Sequence, residues 1–176
     1  AECLLAHALG VDRLRLYVDF DKPLAPDERG GFRELVRRRS DERVPVSQLV
    51  GRKEFWSLSL AVTKDVLTPR PETETLIEAA LELASERDAE LQILDIGTGS
   101  GAVALALASE RPKARVTATD ISAAALTVAR GNAERLELAG RVRFVEGDLF
   151  APVAGERFDL VVSNPPYLSN APGTAH

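Results

Sequence analysis

The sequence predicts a parallel, doubly wound α/β sheet that follows a small helical unit. After residue 90, short apolar segments alternate with helical patterns, and a glycine-rich turn joins the first such segment to its helix. Residues 1–9 and 26–39 carry apolar residues at helical spacing, which predicts the helical unit. With 45% apolar and 28% charged residues in 176, the composition is typical of a folded globular protein.

The N-terminal part contains two predicted helices. The apolar residues of 1–9 fall on one helical face, and Gly10 ends that helix. Residues 14–18 alternate between apolar and polar, which fits either a short strand or a helical turn. A second helix is predicted over 26–39. Its inward-facing residues are predicted to be Phe32, Leu35 and Val36.

An every-second-residue pattern follows, which predicts a strand or hairpin over 55–66. The prolines of 68–74, Thr-Pro-Arg-Pro-Glu-Thr-Glu, end that segment, and a helix follows over 76–84. Four further strands are predicted over 91–96, 115–119, 142–146 and 158–163, with helices over 103–109 and 122–136. Parallel strands bring their carboxyl ends to one edge of the sheet, where open α/β sheets bind ligands.

A glycine-rich loop follows the first strand of this sheet. Gly97, Gly99 and Gly101 stand two apart, with Thr98 and Ser100 between them, so the backbone can pass close to a ligand. Dinucleotide sites use a related loop with G-x-G-x-x-G spacing, and purely structural turns use glycine as well. The loop alone therefore leaves the ligand open.

Two more loops at the same edge carry carboxylates. Asp120 ends the second strand, where a carboxylate accepts the ribose hydroxyls of a nicotinamide cofactor or of S-adenosylmethionine. Its alternative role is to cap the next helix, for which Ser122 competes. After the third strand, Asp148 can meet an adenine amino group and Leu149 can cover the ring. These loops predict an adenosine ligand without identifying it.

The tetrapeptide Asn164-Pro165-Pro166-Tyr167 follows the fourth strand and predicts the reaction. The prolines lack N–H groups, so no local donor competes for the carbonyl oxygens of Asn164 and Pro165, which can accept hydrogen bonds from a substrate. The oxygen of the Asn164 side chain adds another acceptor. Such acceptors hold the N–H groups of a planar amide or aromatic amine, aim its lone pair at a methyl carbon and stabilise the developing positive charge. The alternative is a simple proline-rich turn. The predicted catalytic residues are Asn164, Pro165 and Tyr167, with the Tyr167 ring covering the planar group.

Taken together, these motifs resemble those of the HemK/PrmC family of release-factor glutamine methyltransferases. The resemblance rests on 68–74, on 94–101 (Leu-Asp-Ile-Gly-Thr-Gly-Ser-Gly), on Asp120 and on 163–167 (Ser-Asn-Pro-Pro-Tyr). It extends to Leu-Ala-His at 5–7 and Gly-Arg-Lys-Glu-Phe-Trp at 51–56. It implies a Rossmann-like S-adenosylmethionine methyltransferase sheet, here without its C-terminal strands, preceded by a small N-terminal helical domain. The implied domains are a release-factor-docking domain over 1–45, a β-hairpin linker over 46–68 and an incomplete methyltransferase domain over 69–176.

The resemblance implies methylation of the side-chain amide of the glutamine in the GGQ motif of class 1 peptide chain release factors. In the family, the glycine loop holds the methionine part of S-adenosylmethionine, the acid matching Asp120 holds the ribose, and the segment matching Pro69 to Glu74 lines the pocket. The predicted cofactor-binding residues are Gly97, Thr98, Gly99, Ser100, Gly101, Asp120, Asp148, Leu149 and Asn164. The predicted substrate-binding residues are Asn164, Pro165, Pro166 and Tyr167.

Two departures from the family pattern change these expectations. Leu149 stands where some members have an aromatic residue, so aliphatic packing would replace stacking on the adenine. The family's strands after the tetrapeptide are absent, which leaves an exposed sheet edge. We therefore expect this chain by itself to be poorly active.

Composition narrows the class of protein further. A formal charge of −5 disfavours a protein held to nucleic acid by counterion release, and the single cysteine, Cys3, supports neither a disulfide framework nor a metal site. Neither a long apolar run nor a signal pattern is present. We expect a cytoplasmic monomer with no metal, no membrane contact and no direct nucleic-acid contact.

Several alternatives stay open at this stage. The same tetrapeptide chemistry serves an adenine amino-methyltransferase acting on DNA or RNA, or a glutamine methyltransferase acting on another protein. From other classes, the chain could be a nicotinamide-dependent dehydrogenase or a binding protein without catalysis. The glycine spacing and the tetrapeptide disfavour the dehydrogenase.

Overall fold

The computed structural model describes residues 1–165. The chain divides into two compact units, one over Ala1–Arg52 and a second that begins at Lys53. Within the described residues, no helix has both the length and the apolar character that a membrane crossing requires. The predicted division at residues 45 and 68 stays a prediction.

Four helices form the first unit: α1 Glu2–Leu9, α2 Arg13–Val18, α3 Pro26–Ser40 and α4 Val46–Val50. The left-handed conformation of Gly10 ends α1, as predicted. The ambiguous segment 14–18 is helical because the Asp12 carboxylate accepts the Leu14 backbone N–H at 2.8 Å and caps α2. No residue of α2 is buried.

The long helix α3 begins at Pro26, where the fixed φ of proline suits a first helical turn. The Glu28 carboxylate accepts the Ala25 backbone N–H at 2.7 Å and satisfies one donor at the helix start. Phe32 and Leu35 are half-buried as predicted, but Val36 is 40% exposed, so the prediction that Val36 faces inward is wrong.

The second unit begins within a two-stranded hairpin, β1 Arg52–Phe55 and β2 Leu58–Ala61. Both residues of its two-residue turn, Trp56 and Ser57, have positive φ, which matches the twist that such hairpins need. The Trp56 indole N–H donates to the Glu110 carboxylate at 2.9 Å. The hairpin begins and ends earlier along the chain than the predicted 55–66.

A four-stranded parallel sheet forms the core of this unit, in the order β5-β4-β3-β6. Its strands are β3 Gln92–Ile96, β4 Arg115–Asp120, β5 Val142–Glu146 and β6 Leu160–Ser163. The helices are α5 Glu74–Leu83, α6 Ala102–Glu110 and α7 Ala123–Arg135, with short 3-10 turns at Pro71–Thr73 and Ala151–Val153. The predicted parallel α/β sheet with a helical N-terminal region is confirmed.

The central strand β3 lies between β4 and β6 and carries the glycine loop at its carboxyl end. The helix after the loop, α6, is buried from Ala102 to Ala108, because its run of alanine, valine and leucine is apolar on every side. A buried helix against a buried strand gives the loop between them rigid supports on both sides.

Candidate active site

The carboxyl ends of the four sheet strands meet at one cavity of about 480 Å³, a volume typical of small-ligand sites. Most of the predicted cofactor-binding residues line it. They are Gly97, Thr98, Gly99, Ser100, Asp120, Asp148, Leu149 and Asn164. The segment 65–70, Asp95 and Thr73 line it as well, although the sequence motifs gave no individual role to the last two.

The glycine loop uses its glycines in two ways. Gly99 has a φ of 56°, which a residue with a side chain rarely adopts, and a Cβ there would meet no protein atom. Gly101 has a φ of 82°, but a Cβ there would stand 3.1 Å from Leu105 Cδ1 and 3.2 Å from Ala129 Cβ. Gly101 thus lets the start of α6 pack against α7. Its predicted contact with a cofactor stays a prediction.

Asp120 joins the glycine loop to the end of β4. One carboxylate oxygen accepts the Gly99 backbone N–H at 2.9 Å, and the other accepts the Ser122 N–H at 2.9 Å. Ser122 itself caps α7 by accepting the Ala125 N–H. The competing cap role therefore belongs to Ser122. A carboxylate offers about four acceptor positions, so Asp120 keeps capacity for the hydroxyls of a ribose.

Asp95 lies near the end of β3, is fully buried and supports the glycine loop. Its carboxylate accepts the Thr98 hydroxyl at 2.6 Å. Burial raises the pKa of Asp95 from its ordinary value to about 6, against the lowering effect of the Thr98 hydrogen bond. An acidic residue placed inside an apolar strand just before the first glycine was the sequence signal for this support.

Asn132 ties the loop to the hairpin. Its side-chain N–H groups donate to the Ser100 carbonyl at 2.8 Å and to the Ala61 carbonyl at 3.1 Å, while its oxygen accepts the Ala61 N–H at 2.7 Å. The side chain is completely buried. Sequence reasoning missed Asn132 because its partners lie 32 and 71 residues away.

The third loop presents Leu149 at the rim of the cavity. Leu149 is 60% exposed and has a φ of 47°, which is costly for a residue with a branched side chain. Its carbonyl accepts the Thr119 hydroxyl at 3.4 Å. Leu149 thus offers an exposed apolar side chain to the cavity, and its predicted role of covering the adenine ring stays a prediction.

Asn164 follows β6, which pairs with β3 in the register Ile96 to Ser163. This pairing brings Asn164 beside the glycine loop that follows β3. The Ser163 hydroxyl donates to the Ile96 carbonyl at 2.9 Å, and the Asn164 side-chain N–H donates to the Thr73 hydroxyl at 3.0 Å. Pro165 also lines the cavity. The predicted roles of Pro166 and Tyr167 lie outside the described residues.

A second cavity of about 330 Å³ adjoins the same point. It is lined by Arg70, Glu72, Thr73, Leu76, Ser163 and Asn164. Arg70, Thr73, Ser163 and Asn164 line both cavities. The site thus has a larger chamber with the glycine loop and a smaller one with Glu72 and Leu76, and Asn164 stands where they meet.

The larger cavity has the groups that S-adenosylmethionine requires. Its glycine loop has no side chains to obstruct close approach at Gly97 and Gly99, Asp120 offers carboxylate oxygens, and Leu149 offers an apolar cover. The chemistry of this donor set therefore fits the cofactor that the sequence motifs predict.

Two family models match the chain. Residues 73–175 match the methyltransferase small domain, and residues 1–51 match the PrmC N-terminal domain. These matches cover both the sheet and the helical unit and confirm the resemblance that the motifs predicted.

Curated relatives extend these matches. The release factor glutamine methyltransferase of Rhodopirellula baltica is 49% identical over 97% of this chain and 59% of its own length. That of Xylella fastidiosa strain 9a5c is 50% identical over 96% of this chain and 60% of its own length. The chain therefore spans about three fifths of the length of these relatives.

A solved structure is similar in fold. The human methyltransferase 10 domain containing protein is 20% identical, and the match covers 77% of this chain and 60% of that one with a TM-score of 0.55. At this identity the similarity concerns the fold alone, and it agrees with the predicted α/β class.

Proposed function

The chain belongs to the methyltransferase small domain family of S-adenosylmethionine-dependent enzymes, and on that premise we propose that it methylates the GGQ glutamine of class 1 peptide chain release factors. The methyl group goes to the side-chain amide nitrogen. The observation that carries the proposal is the position of Asn164, beside the glycine loop and on the wall of both cavities. The names of the relatives, release factor glutamine methyltransferase, support the choice of substrate.

The larger cavity is the cofactor side in this proposal. The glycine loop would hold the methionine part, Asp120 the ribose and Leu149 the adenine ring, with Asp148 near the adenine amino group. When bound, S-adenosylmethionine supplies a methyl group on a positively charged sulfur, which takes back the electrons of the broken S–C bond and becomes a neutral thioether. The hydrogen bonds of Asp120 and Asn132 hold the loop in its binding conformation beforehand.

The acceptor nitrogen needs assistance because its lone pair is delocalised into the amide carbonyl. The Asn164 side-chain oxygen and the backbone carbonyls of Asn164 and Pro165 accept its N–H groups, which points the lone pair at the methyl carbon. These acceptors also stabilise the positive charge that develops on nitrogen as the N–C bond forms. The methylated nitrogen then loses one proton to water, so no dedicated base is required.

We assign the first unit to recognition of the release factor. Its helix α2 buries none of its residues, and Leu14 and, just beyond the helix, Phe20 are 75% and 83% exposed. Exposed apolar side chains in such number support a protein-binding surface. Replacing Phe20 by serine should raise the KM for the release factor and leave cofactor affinity unchanged, whereas Leu83→Ser, at an exposed leucine of α5, should alter neither.

We further propose that the protein acts as a cytoplasmic monomer, because translation termination supplies its substrate there. Sedimentation at enzyme concentrations used in activity assays tests the oligomeric state. A dimer that persists on dilution would contradict a monomer.

The deciding experiment is mass spectrometry of a release factor after incubation with S-adenosylmethionine and the full-length protein. One methyl group on the GGQ glutamine is the expected result. A parallel reaction with adenine-containing DNA and RNA tests the competing acceptor class, since a flipped adenine offers a similar planar nitrogen. Methylation of nucleic acid, with an unmodified release factor, would reject the proposal.

A further inference from the structure

Thr73 uses its hydroxyl in an unexpected way. It is the last residue of the 3-10 turn Pro71–Thr73 and immediately precedes α5. Threonine at that position commonly accepts a backbone N–H of the helix it precedes. Here the Thr73 side chain makes no such bond, because its own φ and ψ are −70° and −19°, helical rather than extended.

The hydroxyl serves Asn164 instead. Thr73 Oγ1 accepts a hydrogen bond from Asn164 Nδ2 at 3.0 Å across 91 residues of chain. Thr73 is only 8% exposed, so the packing around it restrains its side chain. Asn164, by contrast, is exposed at the carboxyl end of β6. The buried residue therefore holds the exposed one.

In this contact the Nδ2 end of the Asn164 amide faces Thr73, which leaves the Oδ1 end to face the substrate. Nδ2 is a donor and cannot receive an N–H from a substrate amide, whereas Oδ1 can. With Nδ2 engaged by Thr73, Oδ1 is the atom left to accept. A side chain turned by 180° would present donor to donor at the same place.

Both residues stand on the shared wall of the two cavities. If the acceptor side chain enters through the smaller cavity, its nitrogen reaches the methyl group in the larger one beside Thr73 and Asn164. The orientation of one amide at this junction therefore affects the transfer step more than the binding of the cofactor.

We propose that Thr73 is a positioning residue, which holds the Asn164 side chain in place for the acceptor nitrogen. This inference rests on the proposed function, in which Asn164 Oδ1 receives an N–H of the substrate. Thr73 itself touches neither the methyl group nor the acceptor in this scheme.

Kinetics of the full-length protein provide the first test. Thr73→Val keeps the shape of the side chain and removes the hydroxyl, and we expect kcat to fall on the order of tenfold or more through loss of alignment. The affinity for S-adenosylmethionine should stay within about twofold, and Thr73→Ser should restore most of the rate. The matched control is Thr75→Val, at an exposed threonine in the next turn, which should behave as wild type.

A double mutant separates positioning from a structural effect. If Thr73 acts through Asn164, then Thr73→Val should cost less than about twofold in an Asn164→Ala background. Wild-type kcat in Thr73→Val, or an undiminished loss in the Asn164→Ala background, would overturn the inference.

Nuclear magnetic resonance supplies a test that needs no activity. The Asn164 side-chain NH₂ signals, assigned by their absence in Asn164→Ala, should show a nuclear Overhauser contact with the Thr73 methyl group. They should shift in Thr73→Val while those of Asn132 stay in place. Absence of that contact in the wild type would overturn the inference even if Thr73→Val did not fold. A wild type that shows the contact but methylates no release factor would reject the proposed function alone.

Discussion

The Asp120 carboxylate accepts the backbone N–H of Gly99 at 2.9 Å, so a residue at the end of β4 fixes the middle of the loop after β3. This one contact joins two of the loops that surround the larger cavity. It places the Asp120 carboxylate beside the backbone N–H groups of the glycine loop, where the glycines have no Cβ that would obstruct a ligand.

Asp120→Ala should therefore weaken cofactor binding twice, by releasing the loop and by removing acceptors for the ribose. Loss of hydrogen bonds to a carboxylate should lower the affinity for S-adenosylmethionine by about 10- to 100-fold. Calorimetric titration measures it. The control is Asp88→Ala, at an exposed aspartate outside the cavity lining, which should bind normally. Normal binding by Asp120→Ala would remove Asp120 from the site.

Gly101→Ala should destabilise the second unit. The added Cβ would crowd Leu105 and Ala129 and would sit in a left-handed backbone conformation, which together cost about 1–3 kcal/mol. Gly131→Ala is the matched control, because its Cβ would meet no atom and alanine favours the helix α7 by up to about 1 kcal/mol. Urea denaturation should give opposite signs for the two variants, and equal signs would contradict the packing role of Gly101.

Asn132→Leu should lower the free energy of unfolding by about 2–4 kcal/mol, because it leaves the Ala61 N–H and the Ala61 and Ser100 carbonyls without their partner. Thr127→Ala, which removes an exposed hydroxyl bonded within its own helix, should change it by less than about 0.5 kcal/mol. An unchanged free energy of unfolding in Asn132→Leu would show that the amide hydrogen bonds of Asn132 contribute nothing to stability.

Asn164→Ala should leave the affinity for S-adenosylmethionine nearly unchanged and reduce methyl transfer by about a hundredfold or more, the usual effect of losing one preorganised polar contact. Single-turnover assays with a release factor separate the chemical step from binding. Unchanged turnover would reject the role of Asn164 as the acceptor of the substrate N–H.

Asp95 should make stability depend on pH. Its pKa is about 6 in the folded protein and 3.8 ordinarily, so the native state binds more protons between these values, and stability from this group falls as pH rises from about 4 to 6. Asp95→Asn, which stays neutral, should gain up to roughly 3 kcal/mol relative to wild type over that range. Denaturation at pH 4 and pH 7 measures the gain. A difference for Asp95→Asn that does not change with pH would contradict the burial effect.

The motifs and the alternation of strands and helices are readable from local sequence. The glycine loop 97–101, Asp120 and Asn164 each come at the end of an apolar strand. Because parallel strands share a carboxyl edge, the positions of these residues along the chain are enough to predict that they lie together. The family resemblance rests on the same residues and is confirmed. Where the local pattern is ambiguous, as in 14–18, the prediction stays open, since so short a segment fits two periods equally well.

The sequence by itself thus determined the fold class, the family and the loops that surround the cavity, because strand periodicity, glycine conformation and proline geometry are properties of neighbouring residues. Only the tertiary structure decided how those loops are held. Thr73 meets Asn164 across 91 residues and Asn132 meets Ala61 across 71, and no short-range pattern predicts such pairs. Their contacts depend on how α5 and α7 pack on the sheet, which brings distant polar groups within hydrogen-bond distance.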